Sequence, residues 1–271
     1  MRVNKGVRRA VSWLGFSTSL EISHVEVTLS RLPAAWNGLK IVQISDIHMA
    51  HFFHQDDLEQ LVQTINAQQP DVVCFTGDLV DRNREIVVED IQPSLSKINA
   101  PLGKYAVLGN HDYANQNRLQ MTISLLEDAE FNVLMNTHAT IHKNECALHI
   151  AGLDDMKHGA PSLTKALEGI PGDGCTILLV HEPDFALQSK KYAVDLQLSG
   201  HSHGGQIRLP FIGHVRTPSC AKHYVQGLYH VENMVLYVNR GVGMTFLPIR
   251  FCCRPELTVV TLHHAPESAA Y

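Results

Sequence analysis

From Leu39 onward, short apolar runs rich in β-branched residues are separated by stretches in which apolar positions recur three and four apart. Residues 40–45, Lys-Ile-Val-Gln-Ile-Ser, read as a strand buried on both faces. After Gln55 and Asp56, a plausible helix start, Leu58, Leu61, Val62 and Ile65 fall on one helical face until Pro70 stops the run. Residues 71–76 then read as a strand, 87–98 as a helix, 104–108 as a strand and 117–130 as a helix. The first half is thus βαβαβα, which predicts an α/β fold. Further strands are predicted at residues 147–152, 176–180, 194–198, 234–238 and 257–262. No helical period is evident between the last of these, so the second half is expected to form a largely antiparallel sheet. Two packed sheets flanked by helices accommodate both halves.

Residues 1–18 carry a different pattern. Arg2, Lys5, Arg8 and Arg9 appear there with no acidic residue, and no apolar run is long enough to span a bilayer. On a helical wheel Val3, Val7, Ala10, Val11 and Leu14 gather opposite the four cations, with Trp13 and Phe16 nearer the boundary. A basic amphipathic helix of this kind suits peripheral contact with an anionic membrane, because apolar burial and attraction to acidic lipid add together. A frayed tail is the plainer reading. An export signal starting at Arg8-Arg9 is a third, weakened by the short apolar stretch and the lack of a small-residue cleavage site.

Composition narrows the class. With 271 residues, 45% hydrophobic and 18% charged, the chain can bury a large core. No Pro/Gly/Ser-rich linker, charge block or repeat marks a boundary. The expected organisation is a basic N-terminal segment over residues 1–20 and one domain over residues 21–271. A net charge of −5 argues against a nucleic-acid partner, whose binding rests on Lys and Arg neutralising phosphates. The six cysteines, Cys74, Cys146, Cys175, Cys220, Cys252 and Cys253, have no C-x-x-C spacing and read as reduced, mostly buried thiols. That favours a cytoplasmic site, or one peripheral at a membrane, over a disulfide scaffold.

The candidate chemistry follows the strands. Asp46-Ile47-His48, Gly77-Asp78-Leu79-Val80-Asp81, Gly109-Asn110-His111-Asp112, His181-Glu182 and Gly200-His201-Ser202-His203-Gly204-Gly205 each come directly after a predicted strand. Taken singly, each has an ordinary explanation: a polar strand end, a Gly-Asp turn, an Asn turn, a loop histidine beside Pro183. Taken together, five clusters of hard or borderline metal ligands in one position relative to a strand point to a shared metal site. Ligands of open α/β sheets collect at the carboxyl ends of the strands, where such clusters can meet.

Over residues 39–206 these blocks, in this order, resemble the calcineurin-like metallophosphoesterases. Asn239 to Gly243 and Arg254 to Glu256 look like the bacterial branch of YkuE- and YaeI-like proteins. The resemblance implies a four-layer α/β/β/α sandwich of two mixed sheets flanked by helices. It also implies two divalent ions, one held by Asp46, His48 and His203, the other by Asn110, His181 and His201, with Asp78 bridging them. Mn²⁺, Fe or Zn²⁺ all suit that donor set. The expected reaction is hydrolysis of a phosphate ester, preferably a diester, by a metal-bridging hydroxide. His111 is expected to act as general acid or charge stabiliser, with Asp81 orienting it. Arg82 stands where phosphatases of the superfamily keep a phosphate-binding arginine, although Asn83 and Asp112 depart from their Gly and Glu.

Apolar stretches near the motifs, residues 49–53 and 244–248, together with the N-terminal segment, suggest a membrane-associated, lipid-linked or nucleotide-sugar substrate. The rival readings are a metal-dependent nuclease, a non-catalytic metal-binding scaffold of the same fold, and a hydrolase using a single zinc ion.

Overall fold

The computed structural model describes residues 19–85 and 87–265. In chain order its first half holds β1 (Glu21–Leu29), β2 (Leu39–Ile44), α1 (Gln55–Ala67), β3 (Val72–Thr76), α2 (Val88–Leu95), β4 (Lys104–Val107), α3 (Gln116–Asp128) and β5 (Phe131–Val133). The second half holds β6 (Thr137–Lys143), β7 (Cys146–Gly152), α4 (Leu163–Ala166), β8 (Thr176–Leu179), α5 (Ala186–Ser189) and β9 (Leu196–Ser199). Then come β10 (Arg208–Leu209), β11 (Gly213–His214), β12 (Gly227–Val231), β13 (Met234–Val238) and β14 (Glu256–His264).

The apolar runs become strands because both of their faces are covered. In β2 and β3, Ile41, Val72 and Cys74 point one way and Val42, Ile44, Val73 and Phe75 the other, and all are buried. The second set packs against Leu58, Leu61, Val62 and Ile65 of α1 and against the apolar faces of α2 and α3. The first set meets Ile150, Ile177, Leu179, Leu196 and Leu198 of the other sheet. On that sheet's far side Ala151, Leu178, Leu236 and Val238 pack on α4, α5 and Phe185. Two mixed sheets therefore lie face to face with helices outside each, the four layers expected. Helix α1 starts where its backbone donors are met: the His54 amide donates to Asp57 Oδ2 at 3.1 Å, and Asp56 and Asp57 lie at the positive end of the helix dipole.

One sheet has the order β1-β14-β2-β3-β4-β5, with β2 to β5 parallel and β14 antiparallel to β2. The other has the order β12-β13-β9-β8-β7-β6. Here the sequence expectation of a largely antiparallel sheet is corrected. Strands β7, β8, β9 and β13 are mutually parallel, and antiparallel pairing occurs only at the two edges. The crossovers use four-residue helices, too short to leave a helical period in the sequence. Strands β1, β5, β6 and β12 escaped the sequence reading because, lying at or next to sheet edges, they interleave polar residues with apolar ones.

The cysteines are free, but only Cys74, Cys175 and Cys253 are buried; Cys146 and Cys220 are half-buried and Cys252 is exposed. The amphipathic pattern of residues 1–18 lies outside the described residues. Among the described residues no helix is long and apolar enough to cross a membrane. Because Leu198 is fully buried between the sheets, Leu198→Ala is expected to destabilise the fold by about 2–5 kcal/mol, read from urea unfolding. A loss within error of zero would mean the two sheets do not share a close-packed core.

Candidate metal centre

Parallel pairing in both sheets sends the loops after β2, β3, β4, β8 and β9 to one edge of the sandwich. Backbone bonds then fix them to one another. The Asp46 and His48 amides donate to Gly77 O at 2.9 Å and Asp78 O at 3.2 Å, and the Gly200 amide donates to His181 O at 3.0 Å. The buried Asp112 carboxylate accepts from the amides of Asp78, Leu79 and Gly109 at 3.0, 3.1 and 2.8 Å, which joins the second and third loops. Asp46 Oδ2 accepts from the His201 amide at 2.9 Å and so joins the two sheets. At Gly77, with φ of 97°, a Cβ would fall 2.6 Å from Gly109 N and 2.7 Å from His181 Nδ1; only glycine fits.

Strain gathers at this edge. Asp46, His48, Asp78, His201 and His203 all have left-handed backbone, with φ between 50° and 65°. Such conformations cost a non-glycine residue on the order of 1–3 kcal/mol and persist where surrounding contacts over-determine them, commonly at functional sites.

The side chains converge within hydrogen-bonding range. His203 Nε2 lies 3.3 Å from Asp46 Oδ1 and 3.1 Å from His48 Nε2. His201 Nδ1 lies 3.1 Å from His181 Nε2. Asp78 Oδ2 sits between the two groups, 3.6 Å from His48 Nε2 and 3.4 Å from His181 Nε2. Three sets of ligand atoms, Asp46/His48/His203, His48/Asp78/His111 and Asp78/His181/His201, are each close enough to hold one ion, and they share His48 and Asp78. Asn110 is buried beside them, and the next amide, that of His111, donates to Asp78 Oδ1 at 2.8 Å.

Backbone carbonyls choose the tautomers. His181 Nδ1 faces Thr76 O at 2.7 Å and His201 Nε2 faces Ser219 O at 2.8 Å. Each carbonyl accepts only from a protonated ring nitrogen, so the other nitrogen offers its lone pair to the site. Asp46 Oδ1 is buried with no hydrogen-bond partner, although Oδ2 of the same carboxylate has two. An orphaned carboxylate oxygen among imidazole lone pairs fits a cation.

The electrostatics agree. Burial pushes the Asp46 and Asp78 carboxyls up, but the imidazoles around them outweigh it and hold both well below the usual range. Burial opposes protonation of His181 and His48 as well, yet Asp78 and Asp46 raise both. Burial, and then the charge at His181, depress His201 to about 3, and burial depresses His203. The carboxylates thus favour the charged imidazolium form of His48 and His181. Burial and Asp78 push Asp112 up to about 7, against the amides that favour its ionised form.

The remaining predicted residues line the rim. His111 is half-buried and its Nδ1 accepts from the Arg82 amide at 3.1 Å, so its Nε2 carries the proton. Asp81 is 3.8 Å from that same Nδ1 and accepts from the Asn83 amide, so it sits beside the imidazole without a hydrogen bond to it. The Arg82 side chain is exposed, 3.4 Å from His158. Two cations went unnoticed in the sequence. Lys157, on the loop after β7, reaches Asn110 Oδ1 at 3.5 Å. Arg250, fully buried, donates to the carbonyls of Arg240, Gly241 and Gly243 and lies 3.4 Å from His203 Nδ1. Arg250 follows no predicted strand; Lys157 does follow the predicted strand 147–152, in the polar run Asp154-Asp155-Met156-Lys157-His158, a signal the sequence reading passed over. Gly241 packs on Asp46, where a Cβ would fall 2.7 Å from the Asp46 Cβ, and the Val242 and Gly243 amides donate to Ser45 O and Asp46 O.

Comparison with known proteins gives the same picture. The family model for calcineurin-like phosphoesterases matches residues 39–205. The metallophosphoesterase YkuE of Bacillus subtilis is 40% identical over 268 residues, spanning 95% of this chain and 92% of its own. The UDP-2,3-diacylglucosamine pyrophosphatase LpxG of Chlamydia trachomatis is 29% identical over 309 residues, spanning 91% and 90%. Among solved structures, the sulfate thiohydrolase SoxB of Thermus thermophilus shares the fold with a TM-score of 0.53 at 12% identity, over 86% of this chain and 57% of that one.

Because Asp46 and Asp78 raise His48 and His181 and so favour their protonated forms, metal binding is expected to release protons and to tighten as pH rises. Calorimetric titration in buffers of unequal ionisation heat reads this directly, and heats independent of buffer would contradict it. Asp112→Ala, which leaves three loop amides without their acceptor, is expected to lower bound metal measured by elemental analysis; full occupancy would show that the loops hold without it.

Proposed function

Because the chain belongs to the calcineurin-like phosphoesterase family, we propose that this phosphoester hydrolase works through a two-metal centre and accepts phosphodiesters. Asp46, His48 and His203 would hold one ion, Asn110, His181 and His201 the other, and Asp78 would bridge them. The observation that carries the reading is the position of Asp78 Oδ2, shared between an imidazole of each group at 3.6 and 3.4 Å. When bound, such a pair of ions lowers the pKa of water and neutralises charge on the phosphoryl oxygens. Any ions with Mn²⁺-, Fe- or Zn²⁺-like preference for mixed carboxylate, imidazole and amide donors suit the residues.

The chain's own groups complete the chemistry. His111 keeps its proton on Nε2 because the Arg82 amide occupies Nδ1. Burial favours the neutral ring, so Nε2–H can donate a hydrogen bond to the charge that builds on the departing oxygen. Asp81, 3.8 Å from Nδ1, would help to orient the ring. Arg82 and Lys157 are cations at the rim with no carboxylate partner among the ion pairs of the described residues, which suits them to the anionic ester. Residues 21–271 would act as one catalytic domain. The relative LpxG is a UDP-diacylglucosamine pyrophosphatase, and that relation supports a nucleotide-sugar or lipid-linked phosphate ester as substrate for this chain.

Purified protein loaded with metal is expected to bind two ions per chain and to hydrolyse bis-p-nitrophenyl phosphate faster than single-stranded DNA. Asp78→Ala should lose turnover and at least one ion while keeping its circular dichroism. Retained turnover in that variant, or a single ion in the parent, would sink the two-metal reading. His111→Ala is expected to slow an alkyl diester about 100- to 1,000-fold and a p-nitrophenyl ester much less, since that leaving group builds little charge on oxygen. Equal losses on both esters would remove the leaving-group role.

A further inference from the structure

Of the thirteen exposed large hydrophobic side chains among the described residues, seven lie on two loops. Phe211, Ile212 and Val215 belong to the β10–β11 hairpin and its exit, and Phe246 and Leu247 to the loop before Arg250. Phe211 and Phe246 are almost wholly exposed, and both have left-handed backbone, with φ of 68° and 56°. Bulky aromatic residues rarely take that conformation. Here it turns each ring out at a loop tip.

The two loops are one unit. Gln206 Nε2 donates to Thr245 O and Leu247 O, both at 2.9 Å, while Gln206 Oε1 accepts from the Thr245 amide at 2.9 Å. Backbone bonds between Gln206 and Phe251, and between Arg208 and Phe251, complete the join. This unit is anchored to the centre. Gln206 follows His203 by three residues, and Arg250 clamps the carbonyl of Gly243, whose amide binds Asp46 O.

The charge around the patch selects its partner. The chain carries −5 overall, yet residues 203–219 and 239–254 contain no Asp or Glu and, besides the buried Arg250 and Arg240 paired with Glu21 and Glu256, hold Arg208, Arg216 and Arg254. Arg216 and Arg254 are exposed at the borders of the patch. Arg254 also donates to Ser19 Oγ at 3.0 Å, so the chain enters the described structure beside this surface, preceded by eighteen residues bearing Arg2, Lys5, Arg8 and Arg9 with no acidic residue. Cations on both sides disfavour a second copy of the same face, and they disfavour the basic segment lying over it. Apolar tips ringed by cations match acyl chains beneath anionic headgroups.

We propose that these two loops dock on an anionic lipid bilayer and hold the metal-ligand edge at the headgroup level. The phosphate ester that reaches the centre is then one carried by a membrane lipid; that last step rests on the hydrolase reading above, whereas the docking itself does not.

The test uses the full chain with vesicles of phosphatidylcholine alone or mixed with phosphatidylglycerol, measuring co-sedimentation. Binding is expected to the mixed vesicles and to weaken with added salt. Phe211→Ser with Phe246→Ser should reduce it by about tenfold or more, with hydrolysis of soluble bis-p-nitrophenyl phosphate unchanged. Docking is overturned if the parent ignores mixed vesicles, or if the double variant binds them as the parent does while deletion of residues 1–18 abolishes binding. It is equally overturned if light scattering finds a dimer that the double variant dissociates. Vesicle binding without hydrolysis of any ester would leave the docking standing and overturn the hydrolase reading alone.

Discussion

Two carboxylates and four imidazoles are buried together where the protein supplies too few partners to satisfy them. Asp46, Asp78, His48, His181, His201 and His203 are almost wholly shielded from water, and Asp46 Oδ1 has no hydrogen bond at all. Burying unmatched polar groups costs several kcal/mol, and a cluster of this kind is stable only when cations, protons included, sit among the anions. Protons do so imperfectly, since they must occupy ring nitrogens that point at one another across about 3 Å. A divalent ion accepts several lone pairs at once. The arrangement is therefore one that metal completes, and much of the surrounding structure keeps the side chains from relaxing away when metal is absent.

That restraint comes from outside the ligands. Five of them occupy left-handed backbone, and loops in that state would relax if each were held by its own strand alone. They are held by neighbours instead. Asp112 fixes two loops through three amides, Gly241 and Gly243 pack on the backbone and side chain of Asp46, and Gln43 spans the sheets from Thr76 Oγ1 to Ser199 O. Parallel order in each sheet delivers the loops to one edge, and face-to-face packing lays those edges side by side. The fold thus converts sequence positions far apart into one coordination volume.

How much of this was legible beforehand follows from the range of the signals. Asp46, Asp78, Asn110, His181, His201 and His203 stood out because each follows an apolar run, and a buried strand ending in a residue type that can bind metal is a local pattern; the fold brings the carboxylates and imidazoles among them together. The parallel order of β7, β8, β9 and β13 is not local; its crossovers hold only four-residue helices, so the sequence suggested antiparallel pairing instead. Arg250 lacks any motif, since an isolated cation in a loop looks solvated until the fold closes over it. Asp112 was visible only as a departure from the phosphatase pattern, yet its shorter side chain reaches three amides. The expected role of Asp81 in orienting His111 depends on geometry that no local pattern carries: Asp81 lies 3.8 Å from Nδ1 while the Arg82 amide occupies that nitrogen.

The apolar loops extend the same logic from the centre to the surface. Both loops belong to connections that the topology requires, yet neither loop tip adds to the three buried cores. Phe211 and Phe246 nevertheless stand in water in a backbone conformation that disfavours them. Exposed apolar area and strain both count against the free protein. Their anchors, Gln206 and Arg250, are the groups that also brace His203 and the Asp46 loop. Patch and centre are therefore joined through the same hydrogen bonds, so a surface that covers the first lies at a set height from the second.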